Sequence, residues 1–225
     1  MSAPIVVFDL DGTLVDTAPD LVDTLNVILA RERLPPVSFA EARNMIGGGA
    51  RVLIERGLKA DGRLGHAAEI DRLYGDFVSH YGEHLVDRSL PFPGAVAAME
   101  RLAARGCRFA ICTNKLESLS VRLLEALGLS GHFSAVCGQD TFGLQKPDPE
   151  ILLRTIRKAG GNPAQAIMVG DSLNDIEVAR AARIPVVAVD FGYTETPVSL
   201  LGPDQIISSF DNLPAAVFRL LGMDA

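Results

Sequence analysis

The feature that most constrains the fold is the alternation of short apolar runs with amphipathic helical patterns along the later part of the chain. An apolar run, Val6-Val7-Phe8, opens the sequence, and strand-type runs follow after Pro93 at 108–112, 135–138, 166–170, 184–189 and 205–207. Most of these runs are separated by helical patterns. Such alternation predicts a parallel sheet covered by helices on both faces, with right-handed crossovers. The expected fold class is α/β, with a doubly wound, Rossmann-like core.

A long helical stretch interrupts this alternation just after the first strand. No strand pattern occurs from residue 17 to about 85, so we predict an all-helical cap inserted into the core. The predicted domains are a catalytic core of 1–15 and 88–225 and a cap of 16–87. Thr17 and Asp20 have the spacing of a capping box at the first cap helix. Segments 14–16 and 87–91 would be hinges, and the cap would act as a lid.

Two aspartates stand where the first strand ends, in the run Asp9-Leu10-Asp11-Gly12-Thr13. Residues i and i+2 of an extended segment lie on the same side, so the two carboxylates are expected close together. Like charges at that position need a counter-charge, and Gly12 and Thr13 offer N–H and hydroxyl donors beside them. The stretch also fits a buried strand followed by an ordinary Asp-Gly turn. Groups from other strand ends decide between the two interpretations.

Three later segments place polar groups directly after predicted strands or in the loop that follows one. They are Thr113-Asn114, Lys146 before Pro147-Asp148-Pro149, and Asp171-Ser172-Leu173-Asn174-Asp175. Ligands of doubly wound sheets bind at the carboxyl ends of the strands, so these groups are expected to share one site with Asp9. Ser172 and Asp175 also fit a capping box at a helix start, and both roles stay open for Asp175.

Composition and charge exclude several classes of function. The net charge of −7 and the lack of any basic run argue against a nucleic acid or an anionic membrane as partner. No apolar stretch approaches the roughly 18 residues of a membrane-spanning helix, and the first residues lack the basic segment of a signal peptide. We therefore expect a cytoplasmic protein. Its three cysteines lack zinc or redox spacing and are expected to be buried small hydrophobes.

Together these motifs resemble the haloacid dehalogenase superfamily of phosphohydrolases, in order and across the chain. The resemblance implies magnesium-dependent hydrolysis of a phosphomonoester through an aspartyl-phosphate, with Asp9 as nucleophile and Asp11, surrounded by other carboxylates, as the acid–base group. The implied Mg²⁺ ligands are a carboxylate oxygen of Asp9, the backbone carbonyl of Asp11 and the carboxylate of Asp171. The remaining implied roles are catalysis for Thr113 and Lys146, phosphate binding for Gly12, Thr13 and Asn114, and orientation of the ligands for Asp175, Asn174 and Ser172.

Within the superfamily, the phosphoglycolate phosphatases are similar over nearly the whole chain. The similarity lies in residues 9–21, in the cap run 46–51, and in the tail at 191–193 and 203–207. It implies a small phosphorylated acid, 2-phosphoglycolate, as substrate, bound at its carboxylate by Arg51 and by backbone amides of 47–49. An exposed loop with a surface arginine explains Arg51 equally well. The protein is expected to be a monomer or a homodimer.

Several alternatives are separated by the second aspartate. Dehalogenases and phosphonoacetaldehyde hydrolases typically lack an acid at the position of Asp11 and are disfavoured. Sugar-phosphate phosphatases, pyrophosphatases and hexose-phosphate mutases keep both aspartates and stay open. Two alternatives from another class are a receiver-like signalling module, which is shorter and lacks a cap, and a non-catalytic phosphate- or metal-binding protein. The exact substrate, the oligomeric state and the cap residues that set specificity are left open by the sequence.

Overall fold

The computed structural model describes residues 3–223 and is organised around a six-stranded parallel sheet. The strands are β1 (Ile5–Phe8), β2 (Val15–Asp16), β3 (Leu90–Pro91), β4 (Arg108–Cys112), β5 (Phe133–Cys137), β6 (Ala166–Gly170), β7 (Val186–Val189) and β8 (Gln205–Ile207). The large sheet has the order β5-β4-β1-β6-β7-β8, while β2 and β3 form a separate antiparallel pair. The predicted α/β class with a Rossmann-like sheet is confirmed.

The helices fall into two groups. Those between β2 and β3 are α1 (Ala18–Arg31), α2 (Phe39–Arg43), α3 (Ala50–Ala60) and α4 (Ala67–Glu83). Those that follow β3 are α5 (Ala95–Ala104), α6 (Glu117–Ala126), α7 (Pro149–Lys158), α8 (Leu173–Ala182) and α9 (Leu213–Leu221). The first group occupies the segment predicted as a helical cap.

The core strands are apolar on both faces because helices cover both sides of the sheet. From β1, Val6 and Phe8 pack into one layer with helices α5, α6 and α9, while Ile5 and Val7 pack into the opposite layer with α7 and α8. The cap helices bury their own apolar cluster, which includes Leu25, Leu53 and Phe77. We retain the domain boundaries as a prediction, since the cap cluster also takes in Leu119 and Tyr193 of the core.

The two connections to the cap lie side by side. Val15 pairs with Pro91 and Asp16 with Leu90 in the β2–β3 ladder. The predicted capping box at the start of α1 is wrong, because Asp20 turns across this junction and accepts hydrogen bonds from the backbone N–H groups of Arg88 (3.0 Å) and Ser89 (2.8 Å). The polar groups at the start of the cap therefore join its two ends.

Element boundaries differ from expectation mainly where strands are partly exposed or follow a helix cap. β5 begins at Phe133, two residues earlier than predicted, and β7 begins at Val186 because the N–H of Ile184 still bonds to Ala179 at the end of α8. The cysteines Cys107, Cys112 and Cys137 are buried and free, as predicted. Within residues 3–223, no helix is long and apolar enough to cross a membrane.

Candidate active site

Neighbouring strands β1 and β6 bring their acidic carboxyl ends together. Phe8 pairs with Val169 in the sheet, and the N–H of Asp9 continues the ladder by donating to the Val169 carbonyl (2.9 Å). Asp9 and Asp171 therefore emerge side by side. With Asp175 from the first turn of α8, they present carboxylate oxygens that all lie within 4.8 Å of one another. The topology of a parallel sheet thus converts distant sequence positions into one buried acidic cluster.

In the described part of the chain, one buried ammonium faces these acids. Lys146 Nζ lies 2.9 Å from Asp9 Oδ1 and 2.6 Å from Asp175 Oδ1. Burial by itself would lower the pKa of Lys146, but the charges of Asp175 and Asp9 outweigh it and hold the pKa above its ordinary value. Lys146 is therefore a permanent cation in this cluster, and its catalytic role stays a prediction.

The acids outnumber this cation, and the pKa values of two of them are raised. Burial raises the pKa of Asp9 to about 6, opposed by Lys146 and assisted by the charge of Asp175. Burial, together with the charges of Asp175 and Asp9, also raises the pKa of Asp171 well above its ordinary value. Ionised carboxylates at these positions therefore call for additional positive charge.

The cluster fits a divalent cation. Asp9 Oδ1 is fully buried and accepts no well-aligned hydrogen bond from residues 3–223, since its 2.9 Å contact with Lys146 is an ion pair without hydrogen-bond geometry. The donors are all carboxylate oxygens, the ligand type that Mg²⁺ prefers. Asp9 and Asp171 are the side chains that would hold such an ion. The predicted ligation by the backbone carbonyl of Asp11 stays a prediction.

Asp171 is held by two donors from other parts of the chain. Its Oδ1 accepts from the Thr13 hydroxyl (2.8 Å) and its Oδ2 from the backbone N–H of Tyr193 (2.6 Å). Gly12 adopts a φ of +82°, and a Cβ there would lie 2.6 Å from Asp171 Oδ2. Gly192 also passes so close that a Cβ would clash with the Asp171 side chain. These contacts leave Asp171 one orientation, toward Asp9.

Asp175 organises the start of α8. Its Oδ2 accepts from the backbone N–H groups of Asp171 (3.2 Å) and Ser172 (3.0 Å) and from the Ser172 hydroxyl (2.7 Å), while Oδ1 faces Lys146. The bond from the Ser172 N–H is the reciprocal half of a capping box, as the spacing predicted. Asp175 therefore orders the acidic loop and orients Lys146, whether or not it also binds a metal.

Thr113 and Asn114, after β4, lie beside this cluster. The Asn114 side chain accepts from the Lys146 N–H (2.8 Å) and donates to the Lys146 carbonyl (3.2 Å), so it fixes the backbone that carries the ammonium. The Thr113 hydroxyl accepts from the N–H of Lys115 (3.2 Å) and borders the site cavity. Asn114 thus fixes Lys146, and both Asn114 and Thr113 line the cavity.

Asp11 faces a different environment from the crowd of carboxylates expected for it. Its carboxylate lies 2.9 Å and 3.2 Å from Lys115 Nζ and accepts from the Thr17 hydroxyl (2.8 Å). Lys115 also donates to the hydroxyl of Tyr81, on cap helix α4 (2.9 Å). The site thus contains two cation–acid units, one around Asp9 and one around Asp11.

A cavity between cap and core joins the two units. Its walls include Asp9, Asp11, Thr113, Lys115 and Tyr81, together with a largely apolar lining from the cap and α6. The lining residues from the cap are Leu21, Ile46, Gly47, Gly49, Ala50, Leu53, Tyr74, Phe77 and Val78. Asn174 donates to the Gly47 carbonyl (3.1 Å) and so links the acidic loop of the core to the cap. The enclosed space suits a small ligand.

Other predicted ligand-binding groups are engaged with protein partners. The Gly12 N–H donates to the Val15 carbonyl (3.0 Å), and the hydroxyl of Thr13 is used by Asp171. Arg51 does not line the cavity; it pairs with Asp71 (2.7 Å) and stacks on Tyr74, a lining residue. Phosphate binding by Gly12, Thr13 and Asn114, and carboxylate binding by Arg51, stay predictions.

Comparison with known proteins identifies the family. The model of the haloacid dehalogenase-like hydrolases matches residues 4–183. The chain belongs to this family. A phosphoglycolate phosphatase of Mesorhizobium japonicum is 53% identical over 95% of this chain and 94% of that protein, and one of Agrobacterium fabrum is 45% identical over 97% and 94%. A crystal structure described as "a predicted phosphoglycolate phosphatase" from Haemophilus somnus superposes with a TM-score of 0.88 at 32% identity, covering 96% and 98% of the two chains.

The sequence-based assignment to the haloacid dehalogenase superfamily is thereby confirmed, and the protein is a phosphatase of that superfamily. Four residues of this hydrolase were missed at the sequence level: Lys115, Tyr81, Tyr193 and Thr17. Lys115 had a usable signal, because it directly follows Thr113-Asn114 and is one of only four lysines. Tyr193 stood within the tail that resembles the phosphoglycolate phosphatases, but its bond to Asp171 is made by a backbone N–H, which leaves no mark in side-chain chemistry.

Proposed function

We propose that this phosphatase hydrolyses 2-phosphoglycolate to glycolate and phosphate through an aspartyl-phosphate formed on Asp9. The observation that supports it most is the position of Asp9: a buried carboxylate on the wall of an enclosed cavity, 2.9 Å from Lys146 and within 4.8 Å of two further acids. The substrate follows from the relatives named phosphoglycolate phosphatase, which match nearly the whole chain. A small acid phosphate also suits a small cavity closed by a cap.

The chemistry divides between the two aspartates. Asp9 attacks phosphorus, the bond between phosphorus and the ester oxygen breaks, and Asp11 gives its proton to the departing glycolate oxygen. Water then attacks the same phosphorus, Asp11 takes the proton from that water, and the bond to Asp9 breaks to release inorganic phosphate. Lys146 and Thr113 stabilise charge that develops on the phosphoryl oxygens. Phosphate-monoester hydrolysis is among the slowest uncatalysed reactions, so each of these contributions is needed.

Mg²⁺ is the proposed metal because the donors that would hold it, Asp9 and Asp171, are carboxylates. Once bound, it would supply positive charge that offsets the repulsion between the carboxylates and a phosphoryl group. We expect phosphate release to be abolished by EDTA and restored by added Mg²⁺. The cytoplasmic location and the monomeric or homodimeric state stay predictions.

The deciding experiment is a phosphate-release panel with Mg²⁺ on wild type and Asp9→Asn. It compares small carboxylated phosphates, sugar phosphates, nucleotides and pyrophosphate. We expect 2-phosphoglycolate to give the highest kcat/KM and the variant to be nearly inactive, because an amide is a poor nucleophile. If a sugar phosphate or pyrophosphate had a kcat/KM about tenfold higher, equivalent to about 1.4 kcal/mol, it would replace 2-phosphoglycolate as the proposed substrate. The proposed mechanism would be unchanged. Full activity of Asp9→Asn would refute the mechanism.

A further inference from the structure

The site cavity has a basic residue that the chemistry at phosphorus does not use. Among the described residues that line the cavity, Lys115 is the one with a positive charge. Lys146 is paired with Asp9, the proposed nucleophile, and with Asp175. Lys115 lies instead beside Asp11, on the side of the site where the leaving group departs.

Lys115 is built into the site rather than exposed on the surface. Its side chain is only 6% exposed, and its Nζ is held between the carboxylate of Asp11 (2.9 Å) and the hydroxyl of Tyr81 (2.9 Å). Burial lowers the pKa of Lys115, but Asp11 and Tyr81 outweigh this effect and keep the pKa above its ordinary value. A buried, oriented and charged ammonium beside an acid–base residue is costly to maintain, which points to a ligand.

We propose that Lys115, oriented by Tyr81, forms a subsite for a carboxylate on the leaving group, and so selects phosphorylated acids over neutral phosphate esters. The inference deepens the proposed function and rests on it. In a phosphorylated 2-hydroxy acid the carboxylate carbon is two bonds from the ester oxygen that Asp11 protonates. A cation that touches Asp11 is therefore within reach of that carboxylate.

Binding would exchange one carboxylate partner for another. Lys115 pairs with Asp11 in the structure described, and a substrate carboxylate would take over part of that pairing while Asp11 turns to the ester oxygen. The Tyr81 hydroxyl keeps the ammonium in place during the exchange. Because Tyr81 belongs to cap helix α4, the subsite is complete only when the cap covers the core.

This assignment differs from the one based on sequence, in which Arg51 binds the carboxylate. Arg51 is about half exposed and paired with Asp71 at 2.7 Å, and it does not border the cavity. Two cations therefore compete for one role, and their variants separate the alternatives.

The test compares 2-phosphoglycolate with ethyl phosphate, which has a methyl group in place of the carboxylate. The measured quantity is the ratio of their kcat/KM values in wild type, Lys115→Met, Arg51→Met and the control Lys59→Met, an exposed cap lysine. We expect Lys115→Met to lower the ratio about 10- to 100-fold, as loss of a hydrogen bond to a charged group does. The ratio should stay within about twofold for Arg51→Met and Lys59→Met.

A second variant provides the same test if Lys115→Met does not fold. Tyr81→Phe keeps the ring and removes the hydroxyl that orients Lys115, so it should lower the same ratio by a smaller factor, about 2- to 5-fold, through KM for 2-phosphoglycolate. Equal losses on both substrates in folded Lys115→Met, or in Tyr81→Phe if Lys115→Met does not fold, would overturn the subsite. A wild-type enzyme with no preference for 2-phosphoglycolate would instead refute the proposed substrate.

Discussion

Asp9, the proposed nucleophile, is expected to destabilise the fold when no metal is bound, and Asp9→Asn tests this directly. Burial, assisted by Asp175 and opposed by Lys146, raises the pKa of Asp9 from 3.8 to about 6. One pKa unit corresponds to about 1.4 kcal/mol, so the ionised form costs the folded state about 3 kcal/mol. An asparagine keeps the shape without the charge. We therefore predict that Asp9→Asn is more stable than wild type, although it is inactive.

The size of this effect depends on pH. The folded state binds the Asp9 proton more tightly than the unfolded chain, so the destabilisation is complete above pH 6 and is lost as pH falls toward 3.8. The variant should gain about 3 kcal/mol at pH 8 but about 1.5 kcal/mol at pH 5. For a chain of this size, 3 kcal/mol corresponds to about 6–12 °C in Tm.

The assay is urea or thermal unfolding in EDTA at both pH values. Asp61→Asn, at the exposed end of α3, is the matched control and should behave as wild type. Added Mg²⁺ should stabilise wild type more than Asp9→Asn, because a ligand stabilises the state that binds it. A variant that is less stable than wild type at pH 8 in EDTA, or a gain that does not shrink at pH 5, would show that the acidic cluster is not strained by its own charge.

Three further substitutions test how the site is held together. Tyr193→Phe removes the hydroxyl that bonds Asp16; it should cost about 1.5–3 kcal/mol in unfolding free energy, and an unchanged Tm would refute that bond. Asn114→Ala leaves the buried backbone of Lys146 without its partners, so kcat for p-nitrophenyl phosphate should fall about 10-fold or more. Asp20→Asn weakens the bonds that join the two ends of the cap; we expect a loss of about 1–3 kcal/mol, measured by urea unfolding.

The sheet could be predicted because the central strands are buried on both faces and are therefore apolar, apart from the exposed Arg108 at the start of β4. β4 and β6 have the bounds that the sequence indicated. The predicted strand bounds are wrong where the local sequence does not determine how strands pair. β5 is at the edge of the sheet and starts with partly exposed Phe133 and exposed Ser134, so its apolar pattern begins later than its hydrogen bonds.

The same reasoning explains which site residues could be predicted. The sequence allowed Asp9, Lys146 and Asp171 to be predicted at one site, because a parallel sheet gathers the carboxyl ends of its strands at one edge, whatever separates them in sequence. The residues that contact and orient this site could not be predicted in the same way. The N–H of Tyr193 and the hydroxyl of Tyr81 reach the site only through the final arrangement of the loop after β7 and of the cap.

The sequence does not determine which lysine pairs with which aspartate, whereas the structure does. Both Lys115 and Lys146 follow strands, and either could have balanced either aspartate; the structure pairs Lys146 with Asp9 and Lys115 with Asp11. Buried ion pairs seldom add net stability, so two of them on one small cavity indicate two functional needs. In the proposed mechanism, one pair serves the nucleophile Asp9 and the other the leaving group beside Asp11. It follows that Lys146→Met should impair hydrolysis of every phosphate ester alike, whereas Lys115→Met should impair hydrolysis of esters with a carboxylate on the leaving group more than that of neutral esters.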